Sequence, residues 1–102
     1  MLSGSYMAYR FEWDNRKATS NAEKHGLTFE EAGTVFGDPL AFIFDDENNS
    51  ADERRELIIG HSRRERLIIV CFTEKAEGLI RIIGARPATK KELENYEENI
   101  NI

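Results

Sequence analysis

Two histidines and an uneven run of cations are the side chains of this chain that could do chemistry. His25 sits in Lys24-His25-Gly26, and His61 follows Gly60. An imidazole titrating near pH ~6.5 can move a proton in either direction. The formal net charge of −5 over 102 residues argues against a polyanionic ligand until it is resolved along the chain. Residues 1–53 hold four Lys/Arg against eleven Asp/Glu, residues 54–91 ten against four, and residues 92–102 none against four. A basic centre draws phosphates whatever the total; the plainer reading is a solvated face that keeps the protein in solution. Cys71 is the single cysteine, so an internal disulfide and a Cys-based zinc site are excluded. It lies in the most apolar segment and reads as buried and inert. Asp45-Asp46-Glu47-Asn48-Asn49 could hold a hard cation loosely, but it lacks the EF-hand spacing, and a solvated loop is the better account. There is no His-x-x-x-His pair and no glycine-rich phosphate loop. Neither a metal nor a cofactor is expected.

The elements that must position these groups follow from periodicity. Tyr9, Phe11 and Trp13 alternate with polar or small residues, the pattern of a short half-buried strand. Asp14 is a helix cap, Ala18 and Ala22 share one face, and Gly26 stands where a helix ends in a left-handed residue. Lys24 and His25 then suit the negative end of the helix dipole, so punctuation alone accounts for them. Thr28 and Glu31 form a capping box opening a helix striped by Phe29, Ala32 and Phe36, which Gly37-Asp38-Pro39 stops. Extended segments are expected at 40–44, 56–61, 66–73 and 79–86, joined by a polar loop, the turn Ser62-Arg63-Arg64-Glu65 and a turn at 74–78. Consecutive apolar positions in these strands imply that both sheet faces are covered. Thr89 and Glu92 form a second capping box, and Leu93, Tyr96 and Ile100 stripe a terminal helix. The expected fold class is α+β: two N-terminal helices packed on an antiparallel β-sheet with a C-terminal helix. Residues 8–101 read as one domain, and 1–7 as a disordered leader or cloning remnant. The longest apolar run, Leu67 to Phe72, is too short to cross a bilayer, and no secretion signal opens the chain. The expectation is a cytoplasmic protein with no membrane partner.

Five stretches in order resemble the BrnT-type toxins: FEWD (11–14), NAEKHGLTFEEAGTVFGDP (21–39), RELIIG (55–60), RLIIVCFTE (66–74) and RIIGARPATKKELENYE (81–97). The resemblance spans residues 9 to 97. It implies a RelE-like fold, ribonuclease activity that blocks translation, and neutralisation by a cognate ribbon-helix-helix antitoxin whose complex with the toxin binds operator DNA. The substrate it implies is RNA, free or on the ribosome. Where this family pattern often carries serine, this chain has Gly84; where it carries glutamate before the arginine matching Arg55, this chain has Arg54.

RNA cleavage without a metal needs a base for the 2′-hydroxyl, cations for the charged phosphorane and an acid for the departing 5′ oxygen. Arginine suits the middle task, because its planar fork stays charged and can hold two phosphate oxygens. Arg81 and Arg86, flanking Ile82-Ile83-Gly84-Ala85, are the first candidates, with His25, Lys24 and Tyr96 completing the catalytic set. Arg55, Arg66, Lys90 and Lys91 are candidate RNA contacts. Glu53 and Glu56 are candidate bases, or carboxylates that orient Arg55. His61, beside the hairpin turn, ranks below His25. Arg81 and Arg86 are five apart and would face opposite ways in a regular strand, so a common site requires an irregularity near Gly84. The alternative function is a non-catalytic interaction module whose basic face docks an acidic partner.

Overall fold

A computed structural model describes residues 9–47 and 53–100. The leader expected over residues 1–7 and the middle of the acidic loop lie outside them, as does the side chain of Ile100. The elements are β1 (Arg10–Glu12), α1 (Asn15–His25), α2 (Phe29–Gly33), a 3-10 turn (Thr34–Gly37), β2 (Phe42–Asp45), β3 (Glu56–His61), β4 (Leu67–Ala76), β5 (Leu79–Pro87) and α3 (Lys90–Ile100). The helix expected to run from Phe29 to Phe36 is thus an α-helix of five residues that tightens into the 3-10 turn.

Local chemistry sets the helix ends. Asp14 Oδ1 accepts the N–H groups of Arg16 and Lys17 at 2.8 and 3.1 Å, and Gly26 closes α1 at φ 69°. Thr28 Oγ1 accepts the Glu31 N–H at 3.1 Å, but Glu31 turns elsewhere, so this box is half made. The Thr89–Glu92 box is complete, with bonds of 2.8 and 3.2 Å.

The strands form one five-stranded sheet in the order β1-β5-β4-β3-β2. The neighbours from β2 to β5 are antiparallel, whereas β1 runs parallel to β5, pairing Phe11 with Ile80 and Glu12 with Arg81. The sheet is therefore mixed, not antiparallel as expected. The reason is topological: β1 precedes both helices, and the chain recrosses before the meander, so β1 meets the last strand rather than a sequence neighbour. Beyond Arg81 no strand among the described residues pairs with this edge of β5. Asn21 of α1 takes its place, accepting the Ala85 N–H at 3.1 Å and donating to the Leu27 carbonyl at 3.1 Å.

Two apolar clusters flank the sheet. On one face Leu27, Phe29, Ala32 and Val35 pack on Ile58, Ile68, Val70, Phe72, Ile80, Ile82 and Ala85. On the other, Tyr96 of α3 covers Ile59 and Ile69, with Phe42, Leu57 and Leu67 around them. This second face is covered only in part, and the uncovered remainder lies toward β5. One close approach demands glycine: a Cβ on Gly60 would lie 2.7 Å from Ala41 Cβ and 2.9 Å from Asp38 Oδ2.

Candidate functional site

Strand β5 carries an extra residue. Cys71 pairs with Gly84 and Phe72 with Ile82, leaving Ile83 unpaired at a register shift. Ile80 and Ile82 face the helices; past the bulge Ala85 does so again. Arg81, paired with Thr73, and Arg86, paired with Ile69, consequently share the opposite, partly open face. The irregularity that strict alternation required is present beside Gly84.

On that face a cleft of about 210 Å3 opens between α1 and the sheet. Asn21 and His25 form one wall; Leu57, Ile69 and Cys71 form the floor; Gly84 and Arg86 form the other side. His25 reaches the cleft because Gly26 ends α1 there, and Arg66 braces the turn by donating Nη2 to the Gly26 carbonyl at 3.2 Å. His25 thus both ends the helix and lines the cleft, while Lys24 beside it is exposed. Gly84 leaves space: a Cβ there would find only Asn21 Oδ1, at 3.9 Å. Burial, helped by Asp46, pushes the Cys71 thiol up to about 11, against the pull of Arg55, so the thiol stays protonated.

Both Arg81 and Arg86 are held by a carboxylate. Arg86 grips Glu92 of α3 with both terminal nitrogens at 2.8 Å. That fork, opposed by burial and aided by the Thr89 N–H, lowers the Glu92 carboxyl to about 2. Arg81 Nη1 lies 2.8 Å from Glu12 Oε2 across the parallel pair. Lys90 and Lys91 are exposed in the first turn of α3, next to the Arg86–Glu92 pair.

Other expected members sit elsewhere. Arg66 turns to the helix-covered side, where its fork holds Glu31, a carboxylate only 6% exposed that also accepts the Ser62 hydroxyl at 2.7 Å. These bonds outweigh burial and hold Glu31 below the usual range. Glu53 pairs with Lys75 at 3.4 Å, and Glu56 lies near the Arg54–Asp45 ion pair; neither lines the cleft. Tyr96, expected to reach the catalytic set, is 2% exposed and does not line the cleft. The apolar stripe of α3 buries its ring, and its hydroxyl donates to Asp38 Oδ2 at 3.1 Å. Burial and that carboxylate raise the phenol to about 12.

This last contact belongs to a cluster that sequence reasoning missed. Asp38 accepts the N–H groups of Leu40 and His61 at 2.9 and 2.7 Å as well as the Tyr96 hydroxyl. Burial opposes its charge, but these donors prevail and keep Asp38 below the usual carboxylate range. While the Tyr96 hydroxyl donates to Asp38, its oxygen also lies 3.2 Å from His61 Nδ1, which draws the second histidine into the same cluster. Asp38 and Tyr96 are 58 residues apart, and no local pattern announces their contact. Among the described residues no group of three or more His, Cys, Asp or Glu side chains is arranged to hold a metal ion.

The fold and the cleft together define a small α+β domain with one sheet face under helices and a histidine and two arginines on the other. The chain belongs to the BrnT family: the family model described as ribonuclease toxin, BrnT, of type II toxin-antitoxin system matches residues 13–92. It is similar to the crystal structure of the Brucella abortus ribonuclease toxin BrnT, with 26% identity and a TM-score of 0.62, over 80% of this chain and 99% of that one. No curated protein matches the sequence. A type II family implies an antitoxin partner, as the resemblance led one to expect.

Proposed function

We propose that this chain is the endoribonuclease toxin of its system, cutting RNA by attack of a 2′-hydroxyl on the adjacent phosphate, without a metal, and so inhibiting translation. The observation that carries this reading is the bulge at Ile83, which brings Arg81 and Arg86 to one face with His25. In this reading His25 takes the 2′-hydroxyl proton as O2′ bonds to phosphorus. Arg86 and Arg81 hold the non-bridging oxygens as their charge grows. The P–O5′ bond then breaks, and the departing oxygen takes a proton from Lys24, at the same helix end as His25. The products are a 2′,3′-cyclic phosphate and a 5′-hydroxyl. A phosphate presents two oxygens to a guanidinium much as a carboxylate does, so RNA takes over the place of Glu92 on Arg86. Lys90 and Lys91 meet the flanking backbone. The fold is read as RelE-like, the site of action as the cytoplasm, and the partner as a ribbon-helix-helix antitoxin whose complex with the toxin binds operator DNA.

A second reading is favoured by one observation: Arg54, Arg66, Arg81 and Arg86 each have a carboxylate of their own, as in a static binding surface. In that case the protein docks an acidic partner and cuts nothing. Incubating RNA with wild type, Arg81→Ala and Arg86→Ala in EDTA separates the two. The ribonuclease reading expects cleavage by wild type and rates roughly 100-fold lower in each variant, the scale of losing one transition-state donor. Growth arrest with no cleavage by any of the three proteins gives the case to the binding module.

A further inference from the structure

A larger cavity lies away from the cleft. An open groove of about 690 Å3 follows α2 and the 3-10 turn, from Tyr9, Phe11 and Trp13 to the β3–β4 hairpin at His61 and Arg63. Its walls are mainly aromatic. Phe11 and Phe36 meet at 57°, Trp13 meets Phe29 at 76°, and Phe36 meets Phe72 at 79°, so these rings lean edge-on into one another. The carboxylate of Asp38 is already taken by three donors, which leaves Glu30 as the other acid lining the groove. At the hairpin end Arg63 lines the groove and Arg64 follows in the same turn. Neither makes a side-chain ion pair with a described residue, in contrast to Arg54, Arg66, Arg81 and Arg86, although the charge of Arg64 helps Arg66 and Ser62 hold Glu31 below its usual range. The hairpin is held rigidly beneath them: Thr34 Oγ1 accepts the Arg63 N–H at 2.8 Å, and the Ser62 hydroxyl bonds Glu31.

An apolar trough with Arg63 lining one end and Arg64 next to it in the turn fits a protein segment with an apolar stripe and acidic residues at one end. RNA is the poorer occupant, because Glu30 lines the groove and repels phosphate. We propose that this groove is where the antitoxin docks, setting carboxylates against Arg63 and Arg64 and apolar side chains between Trp13, Phe11 and Phe36. The proposal rests on the family reading that a protein antitoxin exists. It leaves the His25–Arg86 cleft outside the docking surface.

Gly37 supplies the test. It lines the groove, is exposed, and has nothing within 4 Å of where a Cβ would stand, so Gly37→Trp fills the trough without disturbing the core. The measurement is calorimetric titration of the full chain with the protein product of the neighbouring open reading frame. Wild type, Gly37→Trp, Arg63→Glu/Arg64→Glu and Arg86→Ala are compared, each first shown by thermal melting to be folded. The expectation is that both groove variants bind roughly tenfold or more weakly, the scale of a lost anchor, while Arg86→Ala binds as wild type. The proposal is overturned if Arg86→Ala loses affinity and the groove variants do not, which puts the partner over the cleft. It is also overturned if Gly37→Trp instead lowers retention of a single-stranded RNA oligonucleotide or abolishes self-association of the chain, since RNA or a second copy would then be the occupant. Expressing wild type with and without the neighbouring product separates the two levels. Arrest that the product relieves, with groove variants binding normally, removes only the docking site; no arrest removes the toxin reading and the docking site with it.

Discussion

Replacing Glu92 by glutamine isolates the charge that holds Arg86. Glutamine preserves the capping box of α3, because its side-chain oxygen still accepts the Thr89 N–H, so the cap is not what changes. Lowering the Glu92 carboxyl from 4.5 to about 2 corresponds to a ceiling of roughly 3.4 kcal/mol at 1.36 kcal/mol per unit. Solvent reaches both partners, whose side chains are 42% and 24% exposed, and screening brings the expected contribution to about 1 kcal/mol. The folded carboxyl titrates below its unfolded value, so this stability is complete above pH ~4.5 and disappears as pH falls toward 2. Urea unfolding of wild type and Glu92→Gln should differ by about 1 kcal/mol at pH 7 and converge between pH 4.5 and 2. The same variant leaves Arg86 without its anion, so a short RNA should be retained more strongly than by wild type. A stability difference independent of pH, or RNA retention that falls, would refute the reasoning.

The remaining expectations concern the frame around the cleft. Arg66→Ala strands the buried Glu31 carboxylate and should lower the melting midpoint by several degrees, read by thermal melting at pH 7. A substitution without measurable effect there would mean that Ser62 alone satisfies Glu31. Gly60→Ala should destabilise by about 1–3 kcal/mol, since its methyl would collide with Ala41 and Asp38, and equal unfolding midpoints would contradict the close approach. Cys71, with a thiol at about 11, should react with a disulfide reagent at pH 8 far more slowly in the folded protein than in denaturant, and equal rates would refute its burial.

Reading the frame of the candidate site from sequence worked where the determining contacts were short. Asp14, Gly26 and the Thr89–Glu92 box act within four residues, and β3 spans the expected 56–61 around its apolar Leu57, Ile58 and Ile59. The shared face of Arg81 and Arg86 was posed as a question, because a bulge is a property of pairing between two strands and Gly84 only permits one. Tyr96 shows the opposite failure: its stripe marked it as core, yet nothing near it in the chain pointed to Asp38 as the partner of its hydroxyl.

By itself the amino-acid order determined the helix caps, the turn at Ser62–Glu65, the strands of the meander and the concentration of cations between residues 54 and 91. Each of these depends on bonds or periodicity inside a few residues. Tertiary structure alone decided that β1 lies parallel to β5, that Ile83 is the extra residue, and that Arg66 faces Glu31 rather than the cleft. The first and last of these join positions 69 and 35 residues apart, where the choice among carboxylate partners is made by which faces pack together and what each buried charge must find.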